Sequence, residues 1–365
     1  MMFIALLSLL IWVYLVLLHG RFWSSTPELP PATPGELPDV DIVIPARDEA
    51  ETIGPVIASL LAQDYKGRLR IFLVDDNSTD GTATKAGTAP NLMVITGQPK
   101  PEGWSGKLWA VSQGTAASNA PVLLFADADI VHDPRHVSAL VNKLHQPVDM
   151  VSEMVRLNCV SLAERALVPA FVYFFQMLYP FARVNDPRST VAAAAGGTVL
   201  IRRTALERIG GIAAIKSALI DDCALAAAMK RNGPIYLSLT NDAESLRIYG
   251  DWSEVWNMVA RSAYTQLNYS PLLLLGTVLG LCITFLAPPL LFLFGHGTAS
   301  LFGLLAWIIM ALCYSPMLRF YNRPLWWAPL LPVVALVYLA ATLDSALRHM
   351  RGKGGAWKGR YQAVR

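Results

Sequence analysis

DIVIPARDEAETIGPVIASLLAQDYKGRLRIFLVDD, residues 41–76, contains the alternation that decides the predicted fold. A short β-rich run, DIVIP, leads into helical sequence through ETIGPVIASLLAQ and then into a second β-rich run, LRIFLVDD. The order recurs in LMVIT with GKLWAVSQGTAAS, and in VLLFADAD with a helix after Pro134. It predicts an α/β fold with a mainly parallel sheet and helices on both faces.

Acidic side chains follow three of the predicted strands, at the point where each strand ends. Glu49 comes shortly after DIVIP, Asp75 and Asp76 end the second run, and Asp127 and Asp129 end VLLFADAD. Ligands of such sheets bind beyond the carboxyl ends of the strands. A binding site is therefore predicted at this edge of the sheet.

Ordinary turn chemistry also explains two of these stretches. DDNSTDGT is compatible with an Asx turn followed by Thr79 as a helix cap. DAD is compatible with a strand exit in which Asp133 caps a helix that starts at Pro134. Both alternatives stay open, and the position of DAD downstream of two other acidic strand ends is what favours a site.

The two aspartates of DAD predict a divalent-metal site. A nucleotide diphosphate carries several negative charges, and these carboxylates would repel it unless a cation lay between them. Hard oxygen ligands suit Mg²⁺ or Mn²⁺, and such an ion neutralises a leaving diphosphate. His132 is a further candidate ligand, with an ordinary loop histidine as the alternative.

Apolar segments are concentrated at the two ends of the chain. Residues 2–18 are uncharged and span about 25 Å as a helix, which predicts an uncleaved membrane anchor. Residues 271–294, 300–318 and 325–343 are each long enough to cross a bilayer. The basic residues after Leu343 favour a cytoplasmic tail.

The number of crossings conflicts with that location of the tail. If the central domain is cytoplasmic, three crossings after it place the basic tail outside. One segment is therefore predicted to be re-entrant or interfacial, with its break at Pro288 and Pro289 or at Pro329 and Pro332. The sequence leaves both positions open.

Composition excludes several classes of function. Hydrophobic residues make up 54% of the chain and charged residues 16%, which is too apolar for an ordinary soluble enzyme. A net charge of +3 gives no indication of a nucleic-acid partner, and the four scattered cysteines indicate neither disulfides nor zinc. Neither a dinucleotide fingerprint nor a P-loop follows the first strand.

The predicted domain boundaries follow these changes in composition. In chain order we predict a transmembrane anchor (residues 1–20), a proline-rich linker (21–39), a catalytic α/β domain (40–250), an interfacial segment (251–270), a transmembrane region (271–345) and a basic tail (346–365).

Six stretches, in this order and between apolar ends, resemble the membrane-bound family-2 glycosyltransferases of the GT-A fold. They are VDIVIPARDEAETI, LVDDNSTDGT, GKLWAVSQG, FADAD, AGGTVLIRR and IDDCALA. The sequence most resembles the bacterial hopene-associated glycosyltransferases, including AWKGRY in the tail. The resemblance implies a Rossmann-like GT-A nucleotide-sugar-binding domain flanked by transmembrane helices, a uridine diphosphate sugar as donor and a divalent metal.

The resemblance also implies roles for the acidic residues. Glu49 and Asp76 match the groups that hold the base and ribose of the donor, and Asp75 supports them. Asp127 and Asp129 match the DxD pair, with Asp129 the more direct metal ligand.

Two glycine-containing loops match as well. Lys107 is implied to meet phosphate or sugar oxygens, with a solvated surface lysine as the alternative. Gly196, Gly197 and Thr198 resemble a loop that lets the sugar and the acceptor approach the backbone closely, which glycine permits by lacking a side chain.

The catalytic base is implied by IDDCALAAAMKRNG. Residues from Asp222 onward predict a helix that ends near Gly233, with Asp221 or Asp222 at its N-terminus, where a simple cap is the alternative. The resemblance makes Asp222 the general base. In an inverting transfer, one carboxylate takes the proton of the acceptor hydroxyl while that oxygen attacks the anomeric carbon.

The stretch after the candidate base departs from processive relatives, many of which carry Q/R-x-x-R-W there. Here WNMVARSAYTQLNYS contains Arg261 without an Arg-Trp pair. Arg261 is predicted to clamp the diphosphate, and the departure argues against polymer synthesis.

Aromatic segments indicate a lipid acceptor. Residues 168–184 fit either a core helix or an interfacial segment, and Trp252 and Trp256 fit a membrane boundary. We predict a multi-pass protein of the cell (inner) membrane with a cytoplasmic catalytic domain, which moves a sugar to a lipid such as a hopanoid or another isoprenoid. A polyprenyl-phosphate glycosyltransferase and a non-catalytic scaffold are the alternatives.

Overall fold

A computed structural model describes residues 1–24, 29, 35, 37–352, 356–357 and 360–361. Most of the proline-rich linker and most of the basic tail, including part of AWKGRY, lie outside the described residues. Predictions about those segments therefore stay predictions.

The described chain contains strands and helices in the predicted alternation. The strands are β1 (Val40–Ala46), β2 (Leu69–Asp75), β3 (Leu92–Thr96), β4 (Val122–Ala126), β5 (Ile130–His132), β6 (Met150–Arg156), β7 (Thr198–Arg202), β8 (Ile235–Ser245), β9 (Ala356–Trp357) and β10 (Arg360–Tyr361). The helices are α1 (Met2–Leu18), α2 (Ile53–Leu61), α3 (Thr82–Lys85), α4 (Gly106–Ala117), α5 (His136–Leu144), α6 (Leu162–Leu178), α7 (Phe181–Asn185), α8 (Arg203–Arg208), α9 (Asp221–Lys230), α10 (Trp252–Gln266), α11 (Pro271–Leu281), α12 (Ala287–Phe294), α13 (Thr298–Phe320) and α14 (Leu331–Met350).

Eight strands form one sheet in the order β3-β2-β1-β4-β7-β6-β8-β5. Strands β3, β2, β1 and β4 are mutually parallel, and β6 is parallel to β8. Strand β7 runs antiparallel to both β4 and β6, and β5 runs antiparallel to β8. Six strands therefore point one way and two the other, so the predicted mainly parallel sheet is confirmed, with β5 and β7 reversed.

The sheet packs against helices through continuous apolar runs. Ile42, Ile44 and Leu124 are completely buried, as expected for strands covered on both faces. Helix α2 presents buried residues at positions 53, 56, 57 and 60, the spacing of a single helical face. Each such side chain contributes about 1.5–3 kcal/mol when it leaves water.

The chain divides into two compact units. The sheet unit comprises residues 26–158 and 183–247, and the helical unit comprises residues 1–25, 159–182 and 248–365. Residues 159–182, which contain α6, thus group with the helical unit although they lie inside the predicted 40–250 domain. The physical reason is aromatic packing: Tyr173 of α6 contacts the ring of Tyr314, and Phe174 contacts Tyr338.

The helical unit contains three helices that are long and apolar enough to cross a membrane. They are Pro271–Phe294, Thr298–Phe320 and Leu325–Met350, and they correspond to the three predicted spans. The N-terminal helix Met2–Leu18 is apolar but shorter. The number of crossings and the side of each terminus stay predictions.

The proline pairs do not break these helices. A π-helical turn, Cys282–Leu286, precedes Pro288 and Pro289, and the helix continues through them as α12. Pro329 lies in a 3-10 turn, Leu325–Leu330, and Pro332 lies in the first turn of α14, where a missing N–H costs little.

Candidate active site

Three acidic loops meet at one edge of the sheet. In the parallel pairing of β1 with β2, Ala46 is opposite Asp75, and in the pairing of β1 with β4, Val43 is opposite Phe125. The loops that follow these three strands therefore leave the same edge. The predicted convergence of acidic strand ends is confirmed.

The loops after β1 and β2 are hydrogen-bonded to each other. The backbone N of Asp48 donates to Oγ of Ser78 at 2.9 Å, and the backbone N of Thr79 donates to Oδ1 of Asp48 at 2.8 Å. Nη1 of Arg47 donates to the carbonyl of Asp76 at 2.8 Å and lies 3.3 Å from its carboxylate. The two predicted donor-binding loops are thus joined by hydrogen bonds.

Left-handed backbone conformations give these loops their shape. Asp48 has a φ of 51° and Asn77 a φ of 56°, values that aspartate and asparagine tolerate better than most residues. Asp75 accepts a hydrogen bond from the backbone N of Ser78 at 3.0 Å, which confirms the turn chemistry of DDNSTDGT. Thr79 as a helix cap is wrong, because α3 begins only at Thr82, with Gly81 before it.

The alternative explanation of DAD, a strand exit with Asp133 as the cap of the next helix, is confirmed in part. Oδ1 of Asp133 accepts from the backbone N of Arg135 at 3.0 Å, and the helix begins at His136 rather than Pro134. Asp133 therefore orders the turn before α5. This contact does not involve either aspartate of DAD.

Lys107 is surrounded by carboxylates from two other elements. Its Nζ lies 2.9 Å from Oδ1 of Asp127, after β4, and 3.1 Å from Oδ2 of Asp221, in α9. Burial alone would lower the pKa of the lysine, but the carboxylates outweigh it and raise that pKa. We name Lys107, Asp127, Asp221 and Asp222 the Lys107 cluster. The alternative of a solvated surface lysine is wrong.

Helix termini position this cluster. Helix α4 begins one residue before Lys107, and its cap, Ser105, accepts from the backbone N of Leu108 at 3.2 Å. Helix α9 begins at Asp221, so Asp221 and Asp222 occupy its first turn, where the helix dipole favours negative charge. The predicted location at a helix N-terminus is confirmed, although Ile220 occupies the cap position and α9 ends at Lys230, before Gly233.

Asp222 combines two backbone hydrogen bonds with an elevated pKa. Its Oδ2 accepts from the backbone N of Gly196 at 2.9 Å, and its Oδ1 accepts from the backbone N of Cys223 at 2.7 Å. Burial, followed by the adjacent charge of Asp221, raises its pKa to about 6, against the opposing effect of Lys107. A carboxyl group with a pKa close to neutrality can accept a proton and release it again.

The glycine loop closes one side of this cluster. A Cβ on Gly196 would lie 3.4 Å from both Oδ2 of Asp222 and Nζ of Lys107. A Cβ on Gly197 would lie 2.9 Å from the side chain of Val155, closer than packing allows. Thr198 is the buried first residue of β7. A pocket lined by Lys107, Asp127, Gly196, Asp222 and apolar neighbours opens here.

A second cluster involves a residue that the sequence analysis missed. Nε of Arg247 lies 3.1 Å from Oδ2 of Asp129, and its Nη2 lies 3.1 Å from Oε1 of Glu49. We name Arg247, Glu49 and Asp129 the Arg247 cluster. Arg247 follows β8 in the sequence LRIYG, which carries no recognisable motif, so only the fold reveals it.

His132 lies in a buried chain of polar groups. Its Nδ1 is 2.8 Å from Nδ1 of His136, whose Nε2 is 2.8 Å from Oε2 of Glu153. Burial, followed by the charge of His136, holds the pKa of His132 well below its usual value. Across the described residues, no three histidine, cysteine or acidic side chains form a group that could hold a metal ion. His132 as a metal ligand stays a prediction.

Arg261 is the predicted site residue that lies in the helical unit. It is an exposed residue of α10. Its predicted contact with a diphosphate stays a prediction.

Part of the chain is similar in sequence to known proteins. Residues 41–210 match the model of glycosyl transferase family 2. A probable glycosyltransferase from Bacillus subtilis, YdaM, is 28% identical over 184 residues, which are 48% of this chain and 43% of YdaM. An N-acetylglucosaminyltransferase from Rhizobium leguminosarum is 32% identical over 119 residues, 30% of this chain and 26% of that protein.

Both relatives are named as glycosyltransferases. The matched region spans less than half the length of either relative. The similarity therefore concerns part of the chain, and the activity and substrates of the whole protein rest on the site.

A solved structure matches nearly the whole chain in fold. A mannosyltransferase from Pyrobaculum calidifontis, determined in complex with GDP-Man and Mn²⁺, aligns with a TM-score of 0.55 at 17% identity. The alignment covers 95% of this chain and 98% of the mannosyltransferase. The predicted GT-A-like α/β fold class, with apolar helices at both ends of the chain, is confirmed.

Proposed function

We propose that the protein is a membrane-bound inverting glycosyltransferase that moves a sugar from a nucleotide-sugar donor, with UDP as the preferred nucleotide, to a lipid hydroxyl. The proposal rests on the location of Asp222, which lines a pocket beside Lys107 and has a pKa raised to about 6. A single base of this kind is what an inverting transfer requires.

In this mechanism Asp222 takes the proton of the acceptor hydroxyl. Hydrogen bonds from the backbone of Gly196 and Cys223 hold its carboxylate in place. Lys107 contributes positive charge toward the phosphate or sugar oxygens, and the absence of a side chain at Gly196 leaves room for the reacting groups. As the acceptor oxygen bonds to the anomeric carbon, the bond from that carbon to the diphosphate breaks.

The remaining predicted residues bind the donor. Glu49 and Asp76, supported by Asp75, hold the base and ribose from the joined loops after β1 and β2. Arg261 is assigned to the diphosphate, and Thr198 with Gly197 to the backbone surface beside the sugar.

The DxD aspartates fit a divalent metal by their chemistry. Their hard carboxylate oxygens suit Mg²⁺ or Mn²⁺, and in this structure each aspartate already pairs with a cationic side chain of the chain itself, Lys107 or Arg247. Asp127 and Asp129 would hold the ion, with His132 a further candidate. The ion supplies positive charge that stabilises the leaving diphosphate.

The three long apolar helices support a membrane location and a lipid acceptor. We assign the acceptor to the hopanoid or wider isoprenoid lipids, the protein to the cell membrane, and the catalytic domain to its cytoplasmic side. The lipid would approach from the membrane, so that its hydroxyl need not be transferred into water.

A nucleoside-diphosphate release assay tests this function. The full chain is reconstituted in lipid vesicles with UDP- and GDP-sugars and with hopanoid, polyprenyl-phosphate and native-extract acceptors. Asp129→Asn and Asp222→Asn should each abolish most of the release, whereas the half-buried control Asp186→Asn should not.

The outcomes of this assay separate the alternatives. Release that needs polyprenyl phosphate would identify the polyprenyl-phosphate glycosyltransferase. Nucleotide binding without turnover on any acceptor would favour the non-catalytic scaffold. Parental activity in both site variants would contradict the site assignment.

A further inference from the structure

Arg247 connects acidic side chains from two different loops of the candidate donor site. The planar guanidinium directs separate N–H groups to Asp129 and to Glu49, both at 3.1 Å. A lysine ammonium at this position would provide only a point charge. We propose that Arg247 is a positioning residue that holds the Asp129 and Glu49 carboxylates until the donor binds, and so makes binding of the divalent metal depend on the nucleotide diphosphate. This inference rests on the proposed function.

Backbone pairing fixes Arg247 beside Asp129. The backbone N of Leu246 donates to the carbonyl of Asp129 at 2.7 Å, and Ser245 is the strand partner of Ile130. Oγ of Ser245 accepts from the backbone N of Arg247 at 3.2 Å and lies 3.4 Å from Oδ2 of Asp129. The register of β5 with β8 therefore determines which side chain reaches the aspartate.

Glu49 is held on the opposite side of the guanidinium. Its backbone N donates to Oγ1 of Thr82 at 2.9 Å. Oγ1 of Thr52 lies 3.3 Å from Oε2 of Glu49 and donates to the carbonyl of Ala128 at 2.9 Å. The loop after β1 is thus bound to the DAD loop through both Thr52 and Arg247.

The charge on Arg247 acts oppositely on the two ligands. A guanidinium paired with Asp129 repels a divalent cation at that carboxylate and occupies one of its oxygens. The same guanidinium attracts a diphosphate, which can replace the carboxylates as its partner. The metal alone should therefore bind weakly, and nucleotide diphosphate should strengthen its binding.

Solvent exposure limits the size of this effect. The Arg247 side chain is 40% exposed, whereas Glu49 and Asp129 are each 14% exposed. Because solvent partly screens the charge, loss of Arg247 should change the affinity for the metal by an amount between the effects of a surface ion pair and a buried one.

The test measures binding of Mn²⁺ to the full chain in detergent, without catalysis. Free Mn²⁺ is followed by its electron paramagnetic resonance signal, with and without UDP, and a parallel series uses GDP. The variants are Arg247→Met, Arg247→Lys and the matched control Arg188→Met, whose side chain is 89% exposed and pairs with Asp186.

Without nucleotide, Arg247→Met should bind Mn²⁺ about three- to tenfold more tightly than the parent. The factor by which UDP or GDP strengthens Mn²⁺ binding should be smaller in Arg247→Met than in the parent. Arg247→Lys should lie closer to the parent because it keeps the charge, and Arg188→Met should match the parent.

Two results would overturn the inference, and they differ in what else they imply. If the parent binds Mn²⁺ and nucleotide but Arg247→Met binds Mn²⁺ equally or more weakly, only the role of Arg247 is wrong. If the parent binds neither Mn²⁺ nor UDP nor GDP, the proposed function is wrong and the inference fails with it.

Discussion

The Lys107 cluster and the Arg247 cluster both place one basic side chain among carboxylates, but their charge balance differs. Lys107 faces three carboxylates, whereas Arg247 bridges two. In the Lys107 cluster, burial and the excess negative charge raise the pKa of Asp222 to about 6. In the Arg247 cluster, each carboxylate has its own N–H donor. One arrangement favours proton transfer, and the other favours holding two loops together.

The strongest test of this difference is removal of the proton acceptor. Asp222→Asn should lower turnover by about 10²–10⁴-fold, because amide oxygen is a poor base. Binding of nucleoside diphosphate should stay close to the parental value. Diphosphate release and equilibrium binding measure the two effects, and a parallel loss of binding would show that Asp222 acts mainly in donor recognition.

A smaller effect is expected from removing the lysine charge. Lys107 lowers the pKa of Asp222, so Lys107→Met should raise it. Because the base works only when ionised, the acid limb of the pH–rate profile, expected near pH 6 in the parent, should move upward by roughly one unit. Arg247→Met should leave this limb in place. If the acid limb moved equally in Lys107→Met and Arg247→Met, the two clusters would not differ in their effect on the base.

Shape can be separated from charge at the glycine loop. Gly196→Ala places a methyl group 3.4 Å from Asp222 and Lys107, and turnover should fall roughly three- to tenfold through displacement of reacting groups. Thermal stability should be nearly unchanged. Gly197→Ala should instead lower the unfolding midpoint, because its Cβ meets Val155 at 2.9 Å. Turnover and thermal unfolding of both variants check the contrast.

The smallest expected effect is on stability. The folded state binds the Asp222 proton more tightly than the unfolded state, so the contribution of Asp222 to stability falls as pH rises from about 4 to about 6. Asp222→Asn should therefore raise the unfolding midpoint by roughly 2–4 °C at pH 7.5. The gain should disappear near pH 4. A gain that is independent of pH would contradict the elevated pKa.

The sequence predicted the elements of the site better than their partners. Acidic strand ends are local features, so Glu49, Asp76 and Asp127 could be chosen without a structure, whereas Asp222 was implied by the resemblance to known glycosyltransferases. Arg247 could not be chosen from the sequence. Its partner Asp129 lies in the loop between β4 and β5, and the contact depends on the register of β5 with β8. The cap predicted at Thr79 was wrong because α3 begins only at Thr82, after Gly81.

The amino-acid sequence by itself determined the α/β alternation, the edge of the sheet that carries the acidic loops, and the apolar helices, since each depends on side-chain periodicity along a short segment. Only the tertiary structure decided the reversal of β5 and β7, the grouping of α6 with the helical unit, and the partners of Lys107 and Arg247. These depend on strand register and on packing between distant segments, and a charged side chain acquires its role only when those contacts fix which charges it faces.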